Sequence, residues 1–303
     1  MPFSESNIPD LQGKVVIVTG GNSGIGKQLV KVLVSKGAKV YLAARSEEKF
    51  KQAVEDISDN SGEIKFLKLD LTTAKGAKEA AEEFKSKESS LHILFNNAGI
   101  MGTQNGVLTE DGYELRWAVN AFGPFVFTYH LLPLLQQTAE ASPLGTVRIV
   151  NVASDAPKRL SKNDGIPLDD PTVGQKASTK QCYGYSKMGN IIITRQLAKR
   201  YPKIWSFAPH PGTIQTELIA KLGVPRIISW LLDGILIKSV DYGALTPLYA
   251  GTSQDIHETK NGKFLMPVAT FEDRLPHPQA GDDEFGVKLW EWNMAAMKKA
   301  GVD

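Results

Sequence analysis

Tyr183 and Lys187 stand four positions apart in Tyr183-Gly184-Tyr185-Ser186-Lys187. On a helix this spacing puts a phenol and an ammonium on one face, about 6 Å apart along the axis. A free phenol titrates near pH 10 and is a poor proton donor or acceptor at neutral pH. A cation at about 4 Å, in an effective dielectric of ~20, would favour the phenolate by on the order of 4 kcal/mol before desolvation opposes it. Tyr183 would then serve as a general acid or base. The same spacing arises by chance on surface helices, so the reading depends on what the rest of the chain supplies.

The elements that must position this pair alternate along the chain. Residues 14–19 are a continuous apolar run, suited to a strand buried on both faces of a parallel sheet. A glycine-rich turn follows, and then a helical pattern over 27–35. Further strands are expected at 39–44, 64–69, 91–95, 146–152, 204–208 and 262–265, with helical patterns between them. A long helical region over 111–138 carries Asn120, the fifth strand runs out at Ser154, and 155–182 reads as a loop. The helix of Tyr183 and Lys187 extends to about Tyr201. Residues 216–237 read as one or two amphipathic helices, 241–250 as another, and the tail repeats a helical pattern around Trp290 and Trp292. Such alternation signals an α/β fold: a doubly wound Rossmann-type sheet of about seven parallel strands with helices on both faces. No linker is evident, so 1–303 is read as a single domain, with a core at 13–212, a substrate lid at 213–240 and a C-terminal extension at 263–303.

Composition limits the alternatives. The 303 residues are 42% hydrophobic and 22% charged, ordinary for a globular chain with a sizeable core. A net charge of +2, with acids and bases interspersed, gives no reason to expect a nucleic-acid partner. The one cysteine, Cys182, rules out an intrachain disulfide and a cysteine-rich metal site. It fits a reducing compartment, so a cytoplasmic location and no metal are expected. No apolar run reaches the ~18 residues of a membrane span, and residues 1–12 lack a signal-peptide core.

The glycines Gly20-xxx-Gly24-x-Gly26 fall directly between a strand and a helix. Glycine lets backbone N–H groups approach a phosphate, and the helix start offers free amides and a positive dipole end. The pattern departs from the usual G-x-G-x-x-G, and a tight turn with no ligand is the competing reading. The second strand ends at Arg45 with no acid at its tip. An acid there would hold a ribose 2′-hydroxyl, whereas an arginine suits a 2′-phosphate, so charge favours NADP(H) over NAD(H).

Together these features resemble the short-chain dehydrogenase/reductase family. The matching residues are Thr19-Gly20-x-x-x-Gly24-x-Gly26, Asp70, Asn96-Asn97-Ala98-Gly99, Asn120, Ser154, Tyr183-xxx-Lys187 and Pro211-Gly212 followed by Thr216. They occur in the family's order and span most of the chain. The resemblance implies a catalytic set of Asn120, Ser154, Tyr183 and Lys187. Tyr183 would exchange a proton with the substrate oxygen while hydride moves to or from nicotinamide, and Ser154 would hold that oxygen. Lys187 would lower the phenol's pKa and bond the nicotinamide ribose, and Asn120 would hold a water linking Lys187 to solvent. For the cofactor the resemblance implies Gly20, Asn22, Ser23, Gly24, Ile25 and Gly26 around the pyrophosphate, with Arg45, Asp70 and Leu71 on the adenosine side. Asn96, Ala98 and Gly99 would line that side too, while Pro211, Gly212, Ile214 and Thr216 would fix the carboxamide. Asn97 reads as a satisfied polar group at the sheet end, and His210 as positional rather than an acid or base.

The long interval from Ser154 to Tyr183, and a tail running through Pro276-His-Pro-Gln-Ala280 to Trp290, look like the retinol-dehydrogenase and protochlorophyllide-reductase-like branch. That branch handles bulky apolar substrates. Apolar residues over 217–237 read as a lid over a lipophilic ketone or aldehyde, as core packing, or as a membrane-surface contact. Residues 101–107 are expected to form another wall. The function expected is an NADP(H)-dependent ketone or aldehyde reductase, or alcohol dehydrogenase, acting on a hydrophobic small molecule, with secondary metabolism as its setting. A non-catalytic NADP-binding regulator and an isomerase or epimerase are the alternatives. The helices at 111–138 and 183–201 pair subunits in many relatives, so a homodimer is expected unless the tail covers them.

Overall fold

The strand β1 (Val15–Thr19) is buried at every position, as an interior parallel strand must be. Its alternate residues feed two cores: Val15 and Ile17 join one, Val16 and Val18 the other. It pairs in parallel with β2 (Lys39–Ala44) on one side and β4 (Ile93–Asn96) on the other. Outside β2 lies β3 (Glu63–Lys68), an edge strand that carries three charged residues, Glu63, Lys65 and Lys68. The eight-stranded sheet has the order β3-β2-β1-β4-β5-β6-β7-β8, with β5 at Arg148–Asn151, β6 at Trp205–Pro209 and β7 at Phe264–Met266. The last strand, β8 (Thr270–Glu272), turns back antiparallel to β7. Seven strands are legible from the strand–helix alternation; β8 is too short to show a period. The computed structural model describes residues 3–57, 61–102, 104–161, 165–214 and 238–303. Thr216 and the apolar lid residues 217–237 lie outside them.

Helices α1 (Gly24–Ser35) and α2 (Glu47–Glu55) pack on one face of the sheet, and α3 (Ala74–Lys87) on the other. The region read as one long helix runs as α4 (Leu115–Trp117), a π-helical turn (Ala118–Phe122) and α5 (Gly123–Glu140). This helix is long and apolar enough to cross a membrane, yet 83% of its most apolar window is buried inside the protein, where α5 packs on α3.

The interval read as loop contains a short helix, α6 (Pro157–Leu160), and the start of α7 (Thr179–Arg200). The capping box Ser178-xx-Gln181 starts α7 one turn before Tyr183: Ser178 Oγ accepts the Gln181 N–H, and Gln181 Oε1 accepts the Ser178 N–H. The helix α8 (Val240–Thr252) is tied to the sheet by Arg148, which is buried and donates to the carbonyls of Gly145, Ala250 and Ser253. That guanidinium satisfies carbonyls a helix C-terminus leaves orphaned. The tail ends in α9 (Asp283–Lys299), packed along α7 and against α5.

Candidate active site

The sheet order reverses between β2-β1 and β4-β5, so β1 and β4 open a crevice beyond their carboxyl ends. Thr19, the last residue of β1, closes its floor. Its hydroxyl accepts the N–H groups of Asn97 (3.0 Å) and Ala98 (2.9 Å), and Asn97 Nδ2 donates to the Thr19 carbonyl at 2.9 Å. The side chain of Asn97 is therefore structural, as expected. Gly20, at φ +65°, lies so close to the next turn that a Cβ would stand 3.0 Å from Ala98 Cα. A Cβ on Gly26 would meet the Gly20 carbonyl oxygen at 2.2 Å, so only glycine lets α1 seat against the turn.

Ser23, the N-cap of α1, makes no capping bond with its own side chain, whereas Ser46, Thr73 and Ser178 each cap their helices. Beside this helix start lies a cavity of about 440 Å³. Its walls include Gly20, Asn22, Ser23, Gly24, Ile25, Gly26, Arg45, Asp70, Leu71, Ala98 and Gly99, all residues expected there. Ile100, Met101 and Gly102 continue the wall, and Leu115 and Val119 close it. Lys49 also lines it, one helical turn beyond Arg45. The sequence reading missed Lys49, which lies in the first turn of α2 just past the Ser46 cap. Helix-start amides, a glycine floor and two cations in the wall fit a dinucleotide.

Asn96 is not part of this wall. It is buried, and its Nδ2 donates to Thr128 Oγ1 (2.9 Å) and Asn151 Oδ1 (2.8 Å). Successive strand residues point to opposite faces, so the neighbour of a cavity-side asparagine must face the interior. Asp70 lines the cavity but uses Oδ1 to accept from Thr72 N–H (2.9 Å) and Thr72 Oγ1 (2.7 Å), which fixes its carboxylate. Pro211, Gly212 and Ile214 follow β6 and do not line this cavity, although Ile214 and the cavity residue Ile25 both pack against Gly243. Ile214 forms a parallel bridge with Lys238, so the chain on either side of 215–237 meets at one point.

The catalytic set gathers beyond Gly99. A Cβ on that glycine would stand 3.5 Å from Lys187 Nζ and 3.4 Å from Asn120 Oδ1, so this cavity-wall residue lies directly beside the set. Lys187 Nζ donates to the Val152 carbonyl at 2.7 Å and sits over the Tyr183 ring, 5.9 Å from its centroid. Burial pushes Lys187 down to about 8. Tyr183 is hydrogen-bonded to Ser154, whose Oγ also accepts the Ala156 N–H at 3.1 Å. The expected lowering of the phenol's pKa is not found: burial pushes Tyr183 up to about 12, the Ser154 bond pulls against that, and Asp155 adds to it. Desolvation of the phenolate is the largest influence on the group.

Asn120 occupies the π-helical turn. Its Oδ1 accepts Ile100 N–H (2.7 Å), and its Nδ2 donates to the Ile100 carbonyl (2.9 Å) and Ser186 Oγ (3.0 Å). It thus clamps the cavity wall to α7, a duty beyond the water-holding role expected of it. Below the set, Asn96, Asn151 and Thr194 form a buried polar chain from β4 through β5 to α7.

A family model described as short chain dehydrogenase matches residues 14–163. Two Armillaria gallica proteins named short-chain dehydrogenase/reductase are each 43% identical. One aligns over 293 residues, 96% of this chain and 92% of its own, and the other over 299 residues, 98% and 94%. The fold is similar to that of a solved uncharacterised protein from Mycobacterium paratuberculosis, with a TM-score of 0.75, 25% identity and 98% of each chain covered.

Proposed function

The chain belongs to the short-chain dehydrogenase family, and on that premise we propose that it is an NADP(H)-dependent reductase of ketones or aldehydes on hydrophobic small molecules, reversibly an alcohol dehydrogenase. The observation that carries this reading is the buried Ser154–Tyr183–Lys187 group beside Gly99, a wall residue of a cavity that Arg45 and Lys49 also line. The glycine turn and the start of α1 would hold the pyrophosphate, and Arg45 and Lys49 the 2′-phosphate. The turn at Pro211–Ile214, with Thr216, would hold the carboxamide.

Bound NADPH would supply the hydride. The protein's part is proton transfer and stabilisation of charge. A phenol at about 12 is neutral at pH 7, so Tyr183 begins as the donor that reduction of a carbonyl requires. Ser154 Oγ is a second donor for the same oxygen, and two donors aimed at a developing oxyanion are each worth a few kcal/mol. As the phenol loses its proton, the ammonium of Lys187 would stabilise the phenolate. Leu115, Val119 and Met101 give the cavity apolar wall.

Two measurements test the proposal. Purified protein should consume NADPH with lipophilic ketones or aldehydes from a structured panel. Tyr183→Phe should lower kcat by roughly 10²–10⁴-fold with the fold intact; unchanged turnover would remove the assigned proton route. Arg45→Asp combined with Lys49→Glu should weaken NADPH binding far more than NADH binding, and an equal loss of both would count against the 2′-phosphate site.

A further inference from the structure

We propose that His210 is a positioning residue: a neutral imidazole, protonated on Nε2, that locks the Pro211–Gly212 turn to Asp155 at the end of the catalytic strand. The ring is buried just past β6, and its own backbone N–H donates to the Leu265 carbonyl of β7 at 2.8 Å, which fixes its root. Nε2 lies 3.3 Å from Asp155 Oδ1. On the ring's other side, the Gly212 N–H donates to Nδ1 at 3.4 Å. Asp155 directly follows Ser154, and Gly212 holds the turn at φ +93°. A backbone bond from Ala153 N–H to the Pro209 carbonyl, 2.9 Å, runs between the same two segments. The imidazole therefore spans the segment that presents Ser154 and the turn expected to hold the carboxamide.

The two partners dictate the tautomer. An ionised carboxylate only accepts and an amide N–H only donates, so the ring must donate from Nε2 and accept at Nδ1. A second proton on Nδ1 would face the Gly212 N–H, donor against donor, and the turn would lose its anchor. Around the ring, Asp155 favours the cation, while Arg159 of α6 and Lys187 of α7 oppose it. Tyr183 of α7 is held as a neutral phenol, and Tyr242 of α8 lies beside Gly212. Burial is the largest influence, and the net direction is downward from the ordinary 6.5, so the ring stays neutral at pH 7. The two side-chain partners of His210 are Asp155 and Gly212, and it acts through them.

The consequence for cofactor affinity rests on the NADP(H) function proposed above, whereas the tautomer does not. The test therefore has two readouts. In ¹⁵N-histidine-labelled protein at pH 7, the His210 signal, identified by its loss in His210→Phe, should show a protonated Nε2 and a bare Nδ1. An Nδ1–H tautomer or an imidazolium there would overturn the proposal, and His210→Asn identifies the signal if His210→Phe fails to fold. NADPH binding, followed by fluorescence from pH 5 to 8, should weaken as the wild-type ring takes up its second proton. His210→Phe should bind roughly tenfold more weakly with that acid limb gone, about the worth of one lost hydrogen bond. His210→Asn, which retains an acceptor near Nδ1, should recover part of the affinity. Wild-type affinity and pH dependence in His210→Phe would overturn the positioning role. Failure of the wild-type protein to bind NADPH would instead sink the cofactor assignment and leave the NMR result to decide the tautomer.

Discussion

At Tyr183 and Lys187, burial and pairing pull in opposite directions, and the balance has a pH signature. Lys187 ordinarily titrates at 10.5 and is held at about 8 by burial. Between those values the unfolded chain binds more protons than the folded one, so stability should rise with pH from about 8 to 10.5. Below about 8 both states are protonated, and the full cost of the buried ammonium is present. Tyr183 works the other way: its pKa is raised from 10.0 to about 12, so its contribution is complete below 10 and is lost as pH climbs through 12. The ligand-free protein should therefore gain Tm between pH 8 and 9.5, read by scanning calorimetry, and Lys187→Met should flatten that rise. An identical slope in the variant would show that the lysine is not buried as described.

Elements decide which of two adjacent asparagines faces which way. Asn96 ends β4 with its side chain in the interior, bonded to Thr128 of α5 and Asn151 of β5, while Asn97 turns to the crevice floor. Asn96→Ala strips partners from two buried side chains and should cost about 2 kcal/mol of unfolding free energy. NADPH affinity should stay at the wild-type value, because the residue makes no wall of the cavity. A large loss of binding with little loss of stability would restore Asn96 as a ligand. Chain pattern alone could not choose between the two, because a one-residue change of register exchanges the faces of a strand. The π-helical turn at Ala118–Phe122 is similar: nothing in its composition announces it, yet it lets Asn120 reach both Ile100 and Ser186.

At the scale of the whole molecule, the tail occupies the helix faces through which a homodimer was expected. On α9, Trp290 stands edge-on to Phe125 of α5 with ring centres 5.0 Å apart, and Arg200 of α7 lies over it at 4.6 Å. Trp292 packs edge-on against Tyr113, Trp117 and Phe122. Most of α7 is already buried within one chain. Light scattering behind a sizing column should therefore give the mass of one chain, 33.1 kDa. A stable dimer would mean that subunits pair through some other surface.

By itself the sequence determined the α/β class, the order of the chemical motifs along the chain and about half of the residues that line the cavity. Those depend on local matters: apolar runs, glycines where a Cβ would clash, and a Tyr-xxx-Lys spacing that α7 presents on one face. The tertiary structure alone decided the protonation state of Tyr183, the direction of Asn96, the arrival of Lys49 beside Arg45, and the partners of His210. Each of these depends on desolvation or on contacts between residues distant in the chain, and neither quantity exists until the sheet has closed and the helices have packed.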